Sequence, residues 1–302
     1  MNLREAETLA VTRHLNAERE TEGERLHVAV VVPTHQSART LDACLRSIRA
    51  QTTPVTLIVV DNGSGDSTRA LASRWADQVM LIGPERSAQR NAGARATDAD
   101  VVGFIDSDMV LEPTVVEEAI SLVTAGCVAV IVPEYTVGQG FWSRVRAFER
   151  AFYQGSDSIE AARFFNRKAL LQLGGFDESL NAAEDWDLTI RIRELGRVSR
   201  TTAHIAHDEG RVRFWSACRK KGHYASGIRR FQRKHGRAGV KLALDRPYLK
   251  RPWLLARDPL LGAGLIALKA GETAAIAADL LLNPNARGTE VNGVVKDLED
   301  TA

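Results

Sequence analysis

Val28-Ala29-Val30-Val31-Val32-Pro33-Thr34 is a run of valines broken by one alanine and stopped by a proline. With no polar residue alternating in it, the run leaves neither face for solvent. It therefore predicts a strand buried on both sides, as in a parallel sheet. Proline lacks the N–H that a ladder needs, so the strand ends there. A helix is expected from Thr40 as N-cap, because Leu41, Cys44, Leu45 and Ile48 recur at i, i+3, i+4, i+7 spacing.

The same alternation continues downstream. Residues 56–60 read as a second buried strand, closed by the turn-rich loop Asp61-Asn62-Gly63-Ser64-Gly65-Asp66. Ser67 or Asp66 caps the next helix, which carries Leu71 and Trp75. Residues 79–82 make a third strand, 88–96 a short helix, and 101–105 a fourth strand running into Asp106-Ser107-Asp108. Strands alternating with helices of this length predict an α/β fold with a Rossmann-like, mostly parallel sheet flanked by helices. Right-handed crossovers, and the rule that ligands sit beyond strand carboxyl ends, bring three polar loops to one edge. These are Pro33-Thr34, the loop 61–66, and the loop 106–108.

The second half is less regular. Val115, Val116, Ala119, Ile120 and Val123 mark a helix, 128–132 a strand, and 142–152 another helix. A turn at Leu173-Gly174-Gly175-Phe176-Asp177 precedes Ala183-Glu184-Asp185-Trp186-Asp187, which opens a helix with Leu188, Ile192 and Leu195 inward. Its acidic residues fall in the first turn, where the helix dipole favours carboxylates. The segment 259–282 is apolar but interrupted by Lys269, Glu272 and Asp279. The expected organisation is a charged leader over 1–26, one domain over 27–210, and a basic, helical C-terminal appendage over 211–302.

The chain has 302 residues, a net charge of +2 and 44% hydrophobic residues. That balance suits a soluble globular protein and gives no reason to expect nucleic acid as a partner. Cys44, Cys127 and Cys218 are few, odd in number and far apart, which argues against a disulfide framework and suits a reducing cytoplasm. No signal peptide and no apolar run of ~18 residues is visible.

The ordered motifs resemble inverting family 2 glycosyltransferases of the GT-A fold. Val28 to Thr34, the helix from Leu41 to Gln51, and Ile58-Val59-Val60-Asp61-Asn62-Gly63-Ser64 match that family's opening half. Gln89-Arg90-Asn91-Ala92-Gly93, Phe104-Ile105-Asp106-Ser107-Asp108, and Gly174-Gly175-Phe176-Asp177 with Glu184-Asp185 follow in the family's order. The likeness covers roughly residues 27–210. His35 departs from it, standing where the family often has an aromatic residue or an Asn context.

Two carboxylates one residue apart in a loop can hold a hard cation that bridges two phosphates, so the 106–108 loop suits Mg²⁺ or Mn²⁺. The alternative is a solvated turn. The resemblance implies that Asp108 is the direct metal ligand, with Asp106 on the ribose or the metal's water shell. It implies too that Asp61 reads the base of a nucleotide, in a pocket formed with Pro33, Thr34 and Ser64. Without it, Asp61 is an Asx-turn residue. Arg90 is expected at ribose or phosphate. Displacement at an anomeric carbon needs a base for the acceptor hydroxyl, and the resemblance gives that role to Asp185, with Glu184 shaping the acceptor pocket and Asp187 structural. His207 is expected as a further metal ligand.

Arg211, Arg213, Arg219, Lys220, Lys221 and His223 form a basic run. It suits a lid closing on a departing diphosphate, a solvated helix face, or a surface for anionic headgroups. The segment 259–282 packs on the domain or makes weak peripheral contact at the inner face of a membrane. The expected activity is metal-dependent, inverting transfer from a nucleotide sugar, with UDP preferred. The acceptor is a sugar, a lipid-linked glycan or a small metabolite. Two alternatives are a nucleotide- or carbohydrate-binding pseudoenzyme and a sugar-phosphate nucleotidyltransferase. The second needs a Gly-rich basic loop after the first strand, where this chain has Pro33-Thr34-His35-Gln36-Ser37.

Overall fold

A computed structural model describes residues 26–156 and 159–282. Of the expected leader only Leu26 is described, and residues 283–302 of the appendage lie outside the described residues. The valine run forms β1 (Val28–Thr34), every residue of which is buried. It lies between two parallel neighbours, β2 (Thr56–Asp61) and β4 (Val101–Phe104), and β3 (Gln78–Leu81) extends the sheet beyond β2. The crossovers are α1 (Leu41–Arg49), α2 (Thr68–Trp75) and α3 (Arg86–Arg95).

Alternate side chains of β1 feed two cores. Val28, Val30 and Val32 pack with Leu41, Leu45 and Ile48 of α1, whereas Ala29 and Val31 face a second cluster with Ile58, Val102 and Phe104. Each fully buried valine contributes about 1.5–3 kcal/mol over an exposed one, so both faces of this strand drive the fold. α3 sits so close to β1 that a Cβ at Gly93 would lie 2.4 Å from Val31 Cγ1. This accounts for the glycine in the 89–93 motif.

Beyond β4 come β5 (Met109–Leu111), α4 (Val115–Thr124), β6 (Cys127–Ile131), β7 (Glu134–Val137) and α5 (Phe141–Ala151). They are followed by β8 (Ala162–Asn166), α6 (Arg167–Gln172), α7 (Glu184–Arg193), β9 (Arg197–Arg200) and β10 (Ile205–Asp208). The main sheet has the order β3-β2-β1-β4-β8-β6-β9, and β5-β10-β7 form a second, smaller sheet. The sheet is thus mostly parallel, but β8 runs antiparallel to both β4 and β6. That reversal brings the start of β8 to the carboxyl end of β4, at the edge where the polar loops gather.

The appendage comprises α8 (Phe214–His223), α9 (Ala225–Leu244), α10 (Pro247–Lys250), a 3-10 turn (Pro252–Arg257) and α11 (Pro259–Leu282). Leu261, Leu265 and Leu268 of α11 pack with Val145 of α5, Ala217 of α8 and Tyr248 of α10 in a third core. Among the described residues no helix is long and apolar enough to cross a membrane. Capping differs in detail from expectation. Thr40 occupies the N-cap position of α1 without a side-chain hydrogen bond. At α2 it is Asp66 Oδ1, not Ser67, that accepts from the Thr68 N–H at 3.0 Å.

Candidate active site

The register of the parallel strands sets Thr34 opposite Asp61, with both at the carboxyl edge. Asp61 is fully buried: it accepts from Thr34 Oγ1 at 3.1 Å, from the Ser64 N–H at 2.9 Å and from Ser64 Oγ at 2.6 Å. Gln89 braces the same edge, donating from Nε2 to the carbonyls of Thr34 and Val60. Thr34, Asp61 and Ser64 therefore form one braced unit next to Pro33, the last valine-run neighbour in β1.

The residue after Gln89 organises the centre. Arg90 has no exposed side-chain surface, and its guanidinium stacks 5.1 Å from the Phe176 ring. Nη2 donates to Asp106 at 2.6 Å, while Nη1 donates to Asp185 at 2.9 Å and to Glu184 at 3.2 Å. The sequence had pointed Arg90 at ribose or phosphate. In the structure its terminal nitrogens are engaged by three carboxylates from two distant segments. Asn91, the third residue of the motif, receives the N–H of Phe176 and donates to its carbonyl, fixing the 174–177 turn. The Gln-Arg-Asn triplet thus ties together the ends of β1 and β2, the 106–108 loop, the 174–177 turn and the start of α7.

A second arginine, absent from the sequence reading, extends this network. Arg163 on β8 donates to Asp106 at 3.2 Å and to Glu134 at 2.6 Å. Glu134 is paired in turn with Arg150, and its Oε2 lies 3.6 Å from His207 Nδ1. His207 Nε2 sits 3.2 Å from Asp108 Oδ2. Alternating charges therefore run unbroken from Asp185 through Arg90, Asp106, Arg163, Glu134 and His207 to Asp108. The available signal for Arg163 was a charged residue set directly against the apolar Phe164-Phe165 pair.

The network pushes its carboxyls apart. Burial alone would raise Asp106, but Arg90 and Arg163 hold it well below the usual carboxylate range. For Asp185 burial prevails over the pull of Arg90, and the adjacent Glu184 adds to it, so its carboxyl is raised. Burial by itself would lower His207. Hydrogen bonds and charge from Asp108 and Glu134 overcome that and push it up to about 9.

Two further observations mark the place. Asp108 Oδ1 is buried and has no hydrogen-bond partner, an orphan that native structures rarely leave unexplained. The two non-glycine residues with positive φ among those described, Gln36 (φ 50°) and Ala183 (φ 62°), flank the site. Left-handed backbone of this kind is costly and concentrates at functional sites. Ala183 immediately precedes Glu184 and Asp185. Asp187 takes no part in this network: it is buried and bound by Arg191, Lys234 and His235, so it anchors α9 onto α7. Phe231 of α9 also packs on Trp186, with ring centroids 6.1 Å apart. Most of the basic run falls on α8, and Arg211 lines a small pocket with Arg39, Gln139 and Asp208 just past β10. The side chain of His223 is outside the described residues.

Among the described residues, no three His, Cys, Asp or Glu side chains converge as a complete metal cluster. Asp108 and His207 are brought together as a pair. The orphaned oxygen of Asp108, beside the His207 ring, is oxygen and nitrogen donor chemistry of the kind that suits a divalent cation.

Comparison with known proteins bears on the family and the fold. The chain is 26% identical over 267 residues to the pre-mycofactocin glycosyltransferase of Mycobacterium tuberculosis, covering 81% of this chain and 53% of that one. It is 26% identical over 196 residues to glycosyltransferase AglE of Haloferax volcanii, covering 59% and 64%. The chain thus spans about half the length of the mycobacterial relative, 53% of it. Its fold resembles that of mannosyltransferase PcManGT from Pyrobaculum calidifontis, solved with GDP-Man and Mn²⁺: the TM-score is 0.51 at 19% identity, over 99% of this chain and 89% of that one. It also resembles S. aureus TarS 1-349 solved with UDP-GlcNAc, with a TM-score of 0.50 at 16% identity over 84% and 90%. The profile of glycosyl transferase family 2 matches residues 29–179, half of the sequence and the half that contains Asp61, Arg90, Asp106 and Asp108. The chain belongs to glycosyl transferase family 2.

Proposed function

We propose that this protein transfers a sugar from a nucleotide sugar, UDP-linked by preference, to an acceptor hydroxyl with inversion at the anomeric carbon. The observation that carries the proposal is the convergence on Arg90 of Asp106, Glu184 and Asp185, beside the braced Asp61 pocket. A loop that suits a diphosphate and a carboxylate that suits a proton acceptor are held by one buried cation.

In this reading Asp61, Pro33, Thr34 and Ser64 hold the base, and Asp106 meets the ribose. Asp108 and His207 would hold Mn²⁺ or Mg²⁺: the unpaired Asp108 Oδ1 fits such an ion, and His207, held protonated by Asp108 and Glu134 in its absence, would give up a proton to become a ligand. When bound, the ion neutralises charge on the diphosphate leaving group. Asp185 removes the proton of the acceptor hydroxyl while that oxygen bonds to C1. The C1–phosphate oxygen bond breaks, and its electron pair leaves with the nucleoside diphosphate. A raised carboxyl is the better proton acceptor, and burial raises Asp185. Its side chain is still 28% exposed, which leaves a path to an acceptor. Arg90 keeps Asp185 and Asp106 in fixed relation, so base and donor loop are preorganised. Arg39 and Arg211 line the adjacent pocket and supply cations for the departing diphosphate. The acceptor is a sugar, a lipid-linked glycan or a small metabolite. Three unpaired cysteines agree with a cytoplasmic site of action.

The test is a panel of UDP-, GDP- and dTDP-sugars incubated with Mn²⁺ or Mg²⁺, followed by chromatography of the released nucleotide and NMR of the product anomer. Release of nucleoside diphosphate from at least one donor, with a β-linked product from an α-linked donor, supports the proposal. No release from any donor with either metal contradicts it.

A further inference from the structure

The helical appendage is built inside out. A helix on a protein surface normally turns its polar face to solvent. α11 does the reverse: every exposed position from Pro259 to Leu282 is Pro, Leu, Ile, Ala or Thr, and none is charged. Its Lys269 and Glu272 face inward and are consumed in ion pairs with Arg146 and Glu149 of α5. Neighbouring elements continue the apolar surface. Of the eleven large hydrophobic residues that are exposed among those described, seven lie between Trp215 and Leu282, including Trp215 at 76% and Trp253 at 66%. α8, which carries Trp215, packs along α11 where Gly271 meets Phe214 and Cys218. The 3-10 turn that carries Trp253 packs under its start, where Gly262 meets Leu255.

Charge is sorted in the same region. Among the described residues from 211 to 282, every exposed charged side chain is Arg or Lys, including Arg219, Lys220, Arg251 and Arg257. Asp245, Asp258, Glu272 and Asp279 are all at least partly covered. An apolar face, two exposed tryptophans and a purely cationic exposed charge set form the pattern that binds the headgroup region of an anionic bilayer, where indole rings and basic side chains sit at the boundary. Residues 283–302 do not suit this face, because Val291, Val294, Val295 and Leu298 are their only large aliphatic residues, set among Asn, Asp and Glu.

We propose that the outward face of α11, with Trp215 and Trp253 beside it, lies in the plane of a membrane surface rich in anionic phospholipid. α11 rests on the membrane without crossing it, because its inner face is already occupied by α5 and α8. The inference is independent of the transferase reading, since the outward face of α11, Trp215 and Trp253 take no part in that site.

The test is co-sedimentation of the full chain with vesicles of phosphatidylcholine alone or with about one third phosphatidylglycerol, at low and high salt. The expected result is at least tenfold stronger partitioning onto the anionic vesicles, weakened by salt, with tryptophan emission quenched by brominated lipid. Ile266→Glu and Leu260→Glu, both at exposed positions (60% and 64%), should each lower partitioning about tenfold. Both should leave circular dichroism and nucleotide binding unchanged. Three results would overturn the proposal: no binding to either vesicle, equal binding to both, or binding that survives both substitutions. Sedimentation equilibrium adds a fourth. A dimer dissolved by Ile266→Glu, without vesicle binding, would show that a second copy covers the face.

Discussion

Two of the buried charge clusters among the described residues are built differently. Where α11 of the appendage meets α5 of the domain, Arg146, Glu149, Lys269 and Glu272 form a closed ring: two cations and two carboxylates, with each cation pairing to both carboxylates. At the sheet edge the charges form an open chain from Asp185 to Asp108, with an unpaired carboxylate oxygen at one end and a residue of positive φ at the other. Burial pulls both Glu149 and Asp185 upward. In the ring, Lys269 and Arg146 override it and bring Glu149 down to about 2. In the chain, burial prevails and Asp185 stays raised. A balanced ring acts as a clamp. In the proposed reading, an open chain whose members are pushed apart in acidity serves to accept a proton and a ligand.

The largest expected effect of breaking this contrast is at the open end. Asp185→Asn should lower kcat by about 10³-fold with nucleotide affinity nearly unchanged, read by steady-state kinetics and calorimetry. The stability effect should have the opposite sign. A carboxyl raised by folding binds its proton more tightly in the folded state, so ionised Asp185 destabilises the fold above its ordinary pKa. The variant should therefore melt at a higher temperature. A lower Tm would mean that the Arg90 contact outweighs the burial.

The ring should respond in the reverse way. Arg146→Met leaves Glu272 and Glu149 sharing one lysine and should cost about 3–5 kcal/mol in denaturant unfolding, with kcat per folded molecule preserved. The pH dependence sharpens the difference. Glu149 is depressed from 4.5 to about 2, so the stability it contributes, on the order of 3 kcal/mol, is fully present above about pH 4.5. It is lost as pH falls toward 2, and Glu149→Gln should flatten that part of the acid-unfolding curve. The smallest effect should come from Ala183→Gly. Relieving a left-handed alanine should stabilise the fold by about 0.5–1 kcal/mol, while loosening Asp185 and lowering kcat a few-fold.

The two clusters also differ in how much of each could be read from the sequence. The parallel half was legible because unbroken β-branched runs allow few alternatives: β2 and β4 fall within one residue of expectation, while β1 runs two residues past the valine run, through Pro33 to Thr34. The positions of Asp61, Asp106, Asp108, Glu184 and Asp185 in the fold could be read, because each ends or follows a strand or opens a helix. The structure sets His207 inside β10. Arg163 and Glu134 were missed for a physical reason. They sit on β8 and β7, strands of five and four residues whose pairing joins distant segments, and no local period marks such strands. The bounds of α11 were legible, but its orientation was not. Lys269 and Glu272 read as interruptions of an apolar helix, and only the ring on α5 explains why they turn inward.

The central claim is that the edge holding Asp61, Asp106 and Asp108 is a nucleotide-sugar site completed by a divalent ion. Calorimetric titration of UDP and UDP-sugars into the full chain, with and without Mn²⁺, tests it most directly. Saturable binding that needs Mn²⁺ in the wild type, and falls at least tenfold in Asp108→Ala with the fold intact, is the predicted result. Binding of equal strength in the wild type without metal and in Asp108→Ala, or no binding of any nucleotide, would contradict it.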